Sequence, residues 1–105
     1  MIITISTSAG PITVSATEPV PGLHVYEIPS GISPNSPYRW VLTHHEGQAL
    51  ASFVSEQAAG TAAEKVAPLA DWTRNAMTVA NEVGPSGMSS LTALLVGIGG
   101  QHPNA

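Results

Sequence analysis

The stretch ALASFVSEQAAGTAAEKV, residues 49–66, changes its period halfway. ALASF, residues 49–53, reads as a strand. From Ser55 onward the apolar positions Ala58, Ala59, Ala62, Ala63 and Val66 recur at helical spacing and give a narrow face of small residues. Ser55 stands where a side-chain oxygen can accept from the free amides of a first helical turn. Strands before this point and helices after it define an α+β chain, with helices gathered on one face of an antiparallel sheet. The small residues let the helix sit close to that sheet. Gly60 weakens the helix by about 1 kcal/mol relative to alanine.

Beyond this point Pro68 breaks the helix, because it lacks an N–H and its ring crowds the preceding turn. It also suits the start of a new helix. A second helix is predicted over 69–83, with Leu69, Trp72, Ala76, Ala80 and Val83 on one stripe. GPSG at 84–87 ends it. A third helix, 88–98, buries Met88, Leu91, Leu94, Leu95 and Ile98. GGQHPNA reads as a frayed tail.

Before it, residues 2–6 and 12–16 alternate apolar and polar and form a hairpin, with its turn at Gly10 and Pro11. EPVPG, 18–22, is a connector, since its prolines cannot donate to a ladder. LHVYEI, 23–28, is a third strand with His24 and Tyr26 on one face and Leu23 and Val25 on the other. PSGISPNSP, 29–37, is a loop of the length at which function concentrates. YRWVLTH, 38–44, is the fourth strand, EGQ a turn with Gly47 left-handed, and ALASF the fifth. The connections are too short for crossover helices, so the five strands form an antiparallel meander. The 105 residues, read as one domain over 1–105, then carry two or three α-helices packed on one sheet face.

Composition excludes several functions. Charged residues make up 10% of the chain, against about 25% in typical soluble proteins. Such a surface is fit for self-association or partner binding. Arg39, Lys65 and Arg74 are the only basic side chains and the net charge is −4, so nucleic-acid binding, which needs many cations on phosphates, is not expected. There is no cysteine, which removes disulfides and thiolate chemistry and fits a cytoplasmic location. The N-terminus lacks a basic region followed by a long apolar run, so no signal peptide is expected. The longest apolar run, residues 91–100, is half of the about 20 residues a membrane span needs.

Four clusters carry polar chemistry. His44-His45-Glu46 invites a metal reading, with His24 as a cross-strand third ligand. Strand alternation places His44 and His45 on opposite faces, so no metal or other cofactor is expected. Tyr38 and Trp40 share a face opposite Arg39; such aromatics fill small cores and also centre interfaces. Asp71 complements the dipole of the second helix and pairs with Arg74 at i+3, while Trp72 seals the sheet or meets a second subunit. GPSGMSS, 84–90, reads as an interhelix turn.

The run SPYRWVLTHHEGQALASFVSEQAAGTAAEKVAPLADWTRN, residues 36–75, resembles a group of small uncharacterised proteins of actinobacterial phages and prophages. They share a YRW-x-L-x-HH element, an LA-x-F strand, an Ala-rich helix and LADWT. The resemblance implies a phage or actinobacterial cytoplasm and no particular activity. The strand–turn–strand–helix order also resembles the arm-type DNA-binding modules of phage integrases, whose basic strands are here reduced to Arg39.

The expected function is that of a small non-enzymatic interaction or regulatory protein of phage or prophage origin. It acts on a host protein or as a homodimer, through the meander edge or the helices bearing Trp72 and Leu91. Tyr26, Tyr38, Arg39, His45, Trp72 and Arg74 are the candidate partner-binding residues. One alternative is a metal-dependent or acid–base enzyme using His24, His44, His45 and Glu46. Another is a nucleic-acid accessory protein.

Overall fold

The computed structural model describes residues 1–7, 10–29, 31 and 35–101. Residues 30 and 32–34 of the 29–37 loop and the last four residues of the chain lie outside this set. Strands β1 (Ile2–Thr7), β2 (Gly10–Val20), β3 (Leu23–Glu27), β4 (Trp40–His44) and β5 (Ala49–Phe53) form one antiparallel sheet in the order β1-β2-β3-β4-β5. Helix α1 (Glu56–Val66), a 3-10 turn (Ala67–Leu69) and helix α2 (Ala76–Gly97) follow. The chain is therefore α+β, as its change of period implies. Among the described residues, no helix is long and apolar enough to cross a membrane.

Prolines and glycines set the first two connections differently from expectation. Thr7 pairs with Gly10, so Gly10 and Pro11 open β2; residues 8 and 9, between the two strands, lie outside the described set. Glu18–Val20 continue β2 and are not a connector. Pro19 lies where the β2–β3 register shifts, a place where a missing donor does no harm. Only Pro21 and Gly22 make the turn. Proline fixes the first central φ, and Gly22 takes the second at φ 88, the type II arrangement. A Cβ on Gly22 would stand 2.1 Å from the Trp72 carbonyl oxygen, so this turn touches the backbone of the segment before α2.

The core lies between one sheet face and the helices. Val25, Leu42 and Ala51 align across β3, β4 and β5, with Leu23 and Phe53 beside them. Ala59, Ala62, Ala63 and Val66 of α1 are fully buried against this face. Ser55 caps α1, its hydroxyl accepting from the Ala58 amide at 3.1 Å. Trp40 packs on the rim of the core. β4 begins at Trp40, two residues later than expected, and Tyr38 precedes it.

The second helix begins at Ala76, not at 69. Asp71 turns its carboxylate back onto the Thr73 amide and hydroxyl, a local bond that competes with helix formation. Asn75 caps α2 instead, accepting from the Thr78 amide at 2.8 Å. Leu69, placed on the helical stripe, is exposed. Trp72 is 3% exposed and donates its indole N–H to the Val66 carbonyl at 2.9 Å. α2 kinks at Gly84, where φ is 79, and resumes at Pro85, so the interhelix turn is one residue long. Leu91 and Leu95 are buried, but Leu94 and Ile98, expected inside, are partly exposed. They lie on the flank of the stripe that faces the sheet.

The tail is folded back as far as Gln101. Gly99, at φ 100, ends α2, and the amides of Gly99 and Gly100 bond the Val96 and Leu95 carbonyls, a Schellman arrangement. Gly100 then leaves room for the Phe53 ring, and Gln101 pairs with Ser52 on β5.

Gly22 and Gly47 both have positive φ, but an added Cβ at Gly47 meets open space. Gly47→Ala should cost about 1–2 kcal/mol from the backbone alone. Gly22→Ala should cost more, about 3 kcal/mol or above, because the Trp72 backbone must also move. Urea unfolding of the two variants checks this; equal losses would contradict the close approach.

Candidate functional site

His44, His45 and Glu46 all act on one short segment, residues 74–76. The Nε2 atoms of His44 and His45 each lie 2.8 Å from the Arg74 carbonyl oxygen and donate to its two lone pairs. Glu46 accepts the amide of Ala76, the first residue of α2. The two rings sit 4.1 Å apart, tilted by 33°. This corrects the expectation that alternation sends them to opposite faces.

The reason is local. Alternation holds only inside the strand, and β4 ends at His44. His44 pairs with Leu23 and so shares its side of the sheet, toward the helices. His45 is already in the turn, and its amide donates to the Gly22 carbonyl at 2.9 Å. Gly47 N–H returns to the His44 carbonyl at 2.8 Å and closes that turn.

The bonds fix the His44 tautomer. Its Nδ1 accepts from the Glu46 amide at 3.0 Å, so the proton sits on Nε2. A second proton would place an N–H against the Glu46 N–H. His44 is almost fully buried, and burial is the main cause holding its pKa below 6.5. The neighbouring His45 and His24 act in the same direction, while the Arg74 carbonyl and Glu46 oppose it.

A cleft of about 370 Å³ opens along the other sheet face and reaches the turn, where His44, His45 and Glu46 also line it. Ile3 and Ile5 of β1 border it, opposite His24, Tyr26 and Thr43, so the sheet curls toward its first strand. Burial raises the Tyr26 phenol pKa. His24 Nε2 lies 3.3 Å from Glu18 Oε2, which also accepts the Gly22 amide at 3.1 Å. His24 is thus engaged with Glu18, and the other two imidazoles with a carbonyl. Among the described residues, no group of three or more His, Asp or Glu is placed to hold a metal ion.

The remaining candidates divide by exposure. Trp72, a partner-binding candidate, is buried in the core, with its indole N–H on the Val66 carbonyl. Arg39 donates to the Ile28 and Pro29 carbonyls at 2.9 and 2.6 Å and anchors the start of the 29–37 loop. Arg74 holds Asp71 at 3.4 Å, the expected i,i+3 pair, in a loop instead of a helix. His45 and Arg74 are exposed at the surface, and Tyr26 and Tyr38 are half-buried. Gly22 and Asn75 belong to the same junction and were missed. The signal for Asn75 was present, since Asn is as good a cap as Asp.

No family model, no curated protein and no solved structure matches the chain.

Two outcomes are expected. The folded chain favours neutral His44, so it binds fewer protons than the unfolded chain, and stability falls as pH drops below about 6.5 toward the folded-state value. His44→Gln should remove part of that slope and cost about 1–3 kcal/mol at pH 8; a slope unchanged in the variant would exclude His44 as its source. Glu46→Ala should loosen the start of α2 by about 1 kcal/mol. Hydrogen exchange at residues 76–78 should quicken while β3 and β4 keep their protection.

Proposed function

We propose that the chain is a small interaction protein that works through protein–protein contacts, self-association included. Its resemblance to small phage and prophage proteins suggests the same origin and a cytoplasmic setting. The observation that carries the reading is the surface. Ile2 and Met77 are 70% and 76% exposed, Val54 and Leu69 are at least half exposed, and Leu94 in α2 and Ile98 at its C-cap are each 38% exposed. These stand on a chain with few charges to keep apolar surfaces apart.

The engagement of His44 on both ring nitrogens speaks against an acid–base or metal role for that ring. A catalytic imidazole needs a ring nitrogen free for substrate or metal. His44 has both nitrogens engaged, and the Nε2 of His45 is given to Arg74. Trp72 and Leu91 are themselves buried, both 3% exposed, so a contact through the helical segment that carries them would use its outer side. That leaves the sheet edge and the outer side of α2.

On this reading, light scattering over a concentration series shows an apparent mass that rises above 10.8 kDa, or the immobilised chain retains a defined protein from host extract. A chain that stays monomeric up to millimolar concentration and retains nothing would remove it.

A further inference from the structure

We propose that β1 is a self-pairing edge: two copies of the chain join β1 to β1, antiparallel about a two-fold axis at Thr4, into one continuous sheet. The proposal rests on the interaction-protein reading and names its surface and its partner.

The hydrogen-bond parity of β1 sets which groups are free. Met1 and Ala16 exchange both backbone bonds, at 2.7 and 2.9 Å. Doubly bonded pairs alternate with non-bonded ones along an antiparallel ladder. Ile3–Val14 and Ile5–Ile12 are therefore bonded pairs, and the N–H and C=O of Ile2, Thr4 and Ser6 point away from β2. β1 ends the sheet, and among the described residues no strand covers that side.

The two edges of the sheet are not equivalent. On β5 the outward N–H and C=O of Ser52 are both taken by Gln101, at 2.9 and 2.7 Å. A β1-to-β5 contact between copies, which would propagate head to tail, meets that tail segment first. A β1-to-β1 contact meets no such block and closes at two copies.

The rim of β1 lacks the devices that guard exposed edges, namely lysine, inward charge, proline or a bulge. Ile2–Thr7 is uncharged and mostly β-branched. Residues 2–17 hold no ionisable side chain, although the chain as a whole carries −4. Two negatively charged copies can thus approach here with no like charges facing each other. The same lack of charge offers nothing to a basic or acidic partner. Self-pairing about Thr4 sets Thr4 against Thr4 and Ile2 against Ser6 twice, so all the outward groups of the strand are used at once.

The contact is short. Six residues span about 20 Å at about 3.4 Å each, so the buried area falls below the about 1,200 Å² typical of stable complexes. The dimer is therefore concentration-dependent.

The chain has no cysteine, so a single introduced thiol reports on its own position. Thr4→Cys places two thiols across the axis with Cα atoms about 5.5 Å apart, inside the about 4.4–6.8 Å that a disulfide accepts. Thr13→Cys, on the same exposed face but one strand inward, would leave them about 15 Å apart. Mild oxidation should cross-link Thr4→Cys and not Thr13→Cys. Thr4→Lys sets like charges on the axis and should weaken dimerisation at least about 10-fold by sedimentation equilibrium, with an unchanged circular dichroism spectrum. Cross-linking of Thr4→Cys no faster than Thr13→Cys, or a Thr4→Lys association curve equal to that of the unmodified chain, overturns the pairing. If the chain still self-associates in that case, the interaction reading stands with a different surface. If the unmodified chain is monomeric throughout, the pairing falls and only contact with another protein remains.

Discussion

The carbonyl of Arg74 receives an N–H from each of two adjacent imidazoles, and the position of everything after α1 depends on that contact. The bonds hold residues 74–76 against the β4–β5 turn. The Trp72 backbone is held against Gly22 of the β2–β3 turn by contact. With the segment fixed at both turns, the Trp72 indole enters the core and reaches the Val66 carbonyl. Asn75 and Glu46 then cap α2. Its Leu91 and Leu95 come down beside Phe53, and the Gly99–Gly100 turn lays Gln101 on β5. Each neutral hydrogen bond is worth only about 1 kcal/mol net. Their weight comes from sequence: losing the first leaves a segment, a helix start and a tail without a fixed position.

A core built largely from alanine makes this clasp matter more. Ala59, Ala62 and Ala63 allow α1 to approach the sheet closely, but each removes little apolar surface from water. Phe53, Trp72, Leu23, Leu42, Leu91 and Leu95 supply most of the large buried groups. Two of the leucines and the tryptophan lie beyond residue 66. They contribute only if the 71–76 segment is held where the histidines hold it.

What the sequence made legible was what depends on neighbours in the chain. The period change at Ser55 marks the border between sheet and helices because a strand, a cap and a small-residue helix face all lie within 18 residues. Gly47 and the i,i+3 pair of Asp71 and Arg74 were legible for the same reason. The histidine pair was not, because alternation applies only while the strand lasts, and His45 lies one residue past its end. The start of α2 reads as 69 because Pro68 suits a first helical turn, whereas Asn75, a cap as good as Asp, stands six residues further on. Glu46, thirty residues away, helps to decide it. Trp72 could be read as core or as interface until Gly22 and Val66 were known to surround it. The tail looked frayed because its ladder partner, Ser52, is distant in sequence.

The few charges of the chain act mainly as local hooks for backbone. Glu18 takes the Gly22 amide, Arg39 two carbonyls, Glu46 the Ala76 amide, and Glu82 the Asp71 amide at 3.2 Å. These side chains gather around the turns and helix starts that need their bonds. A chain with so small a stock of charge that uses it there has little left to guard its first hairpin. The uncharged edge of β1 is thus the counterpart of the clasp: side-chain bonds to backbone fix the turns and helix starts, and among the described residues the opposite edge of the sheet carries none.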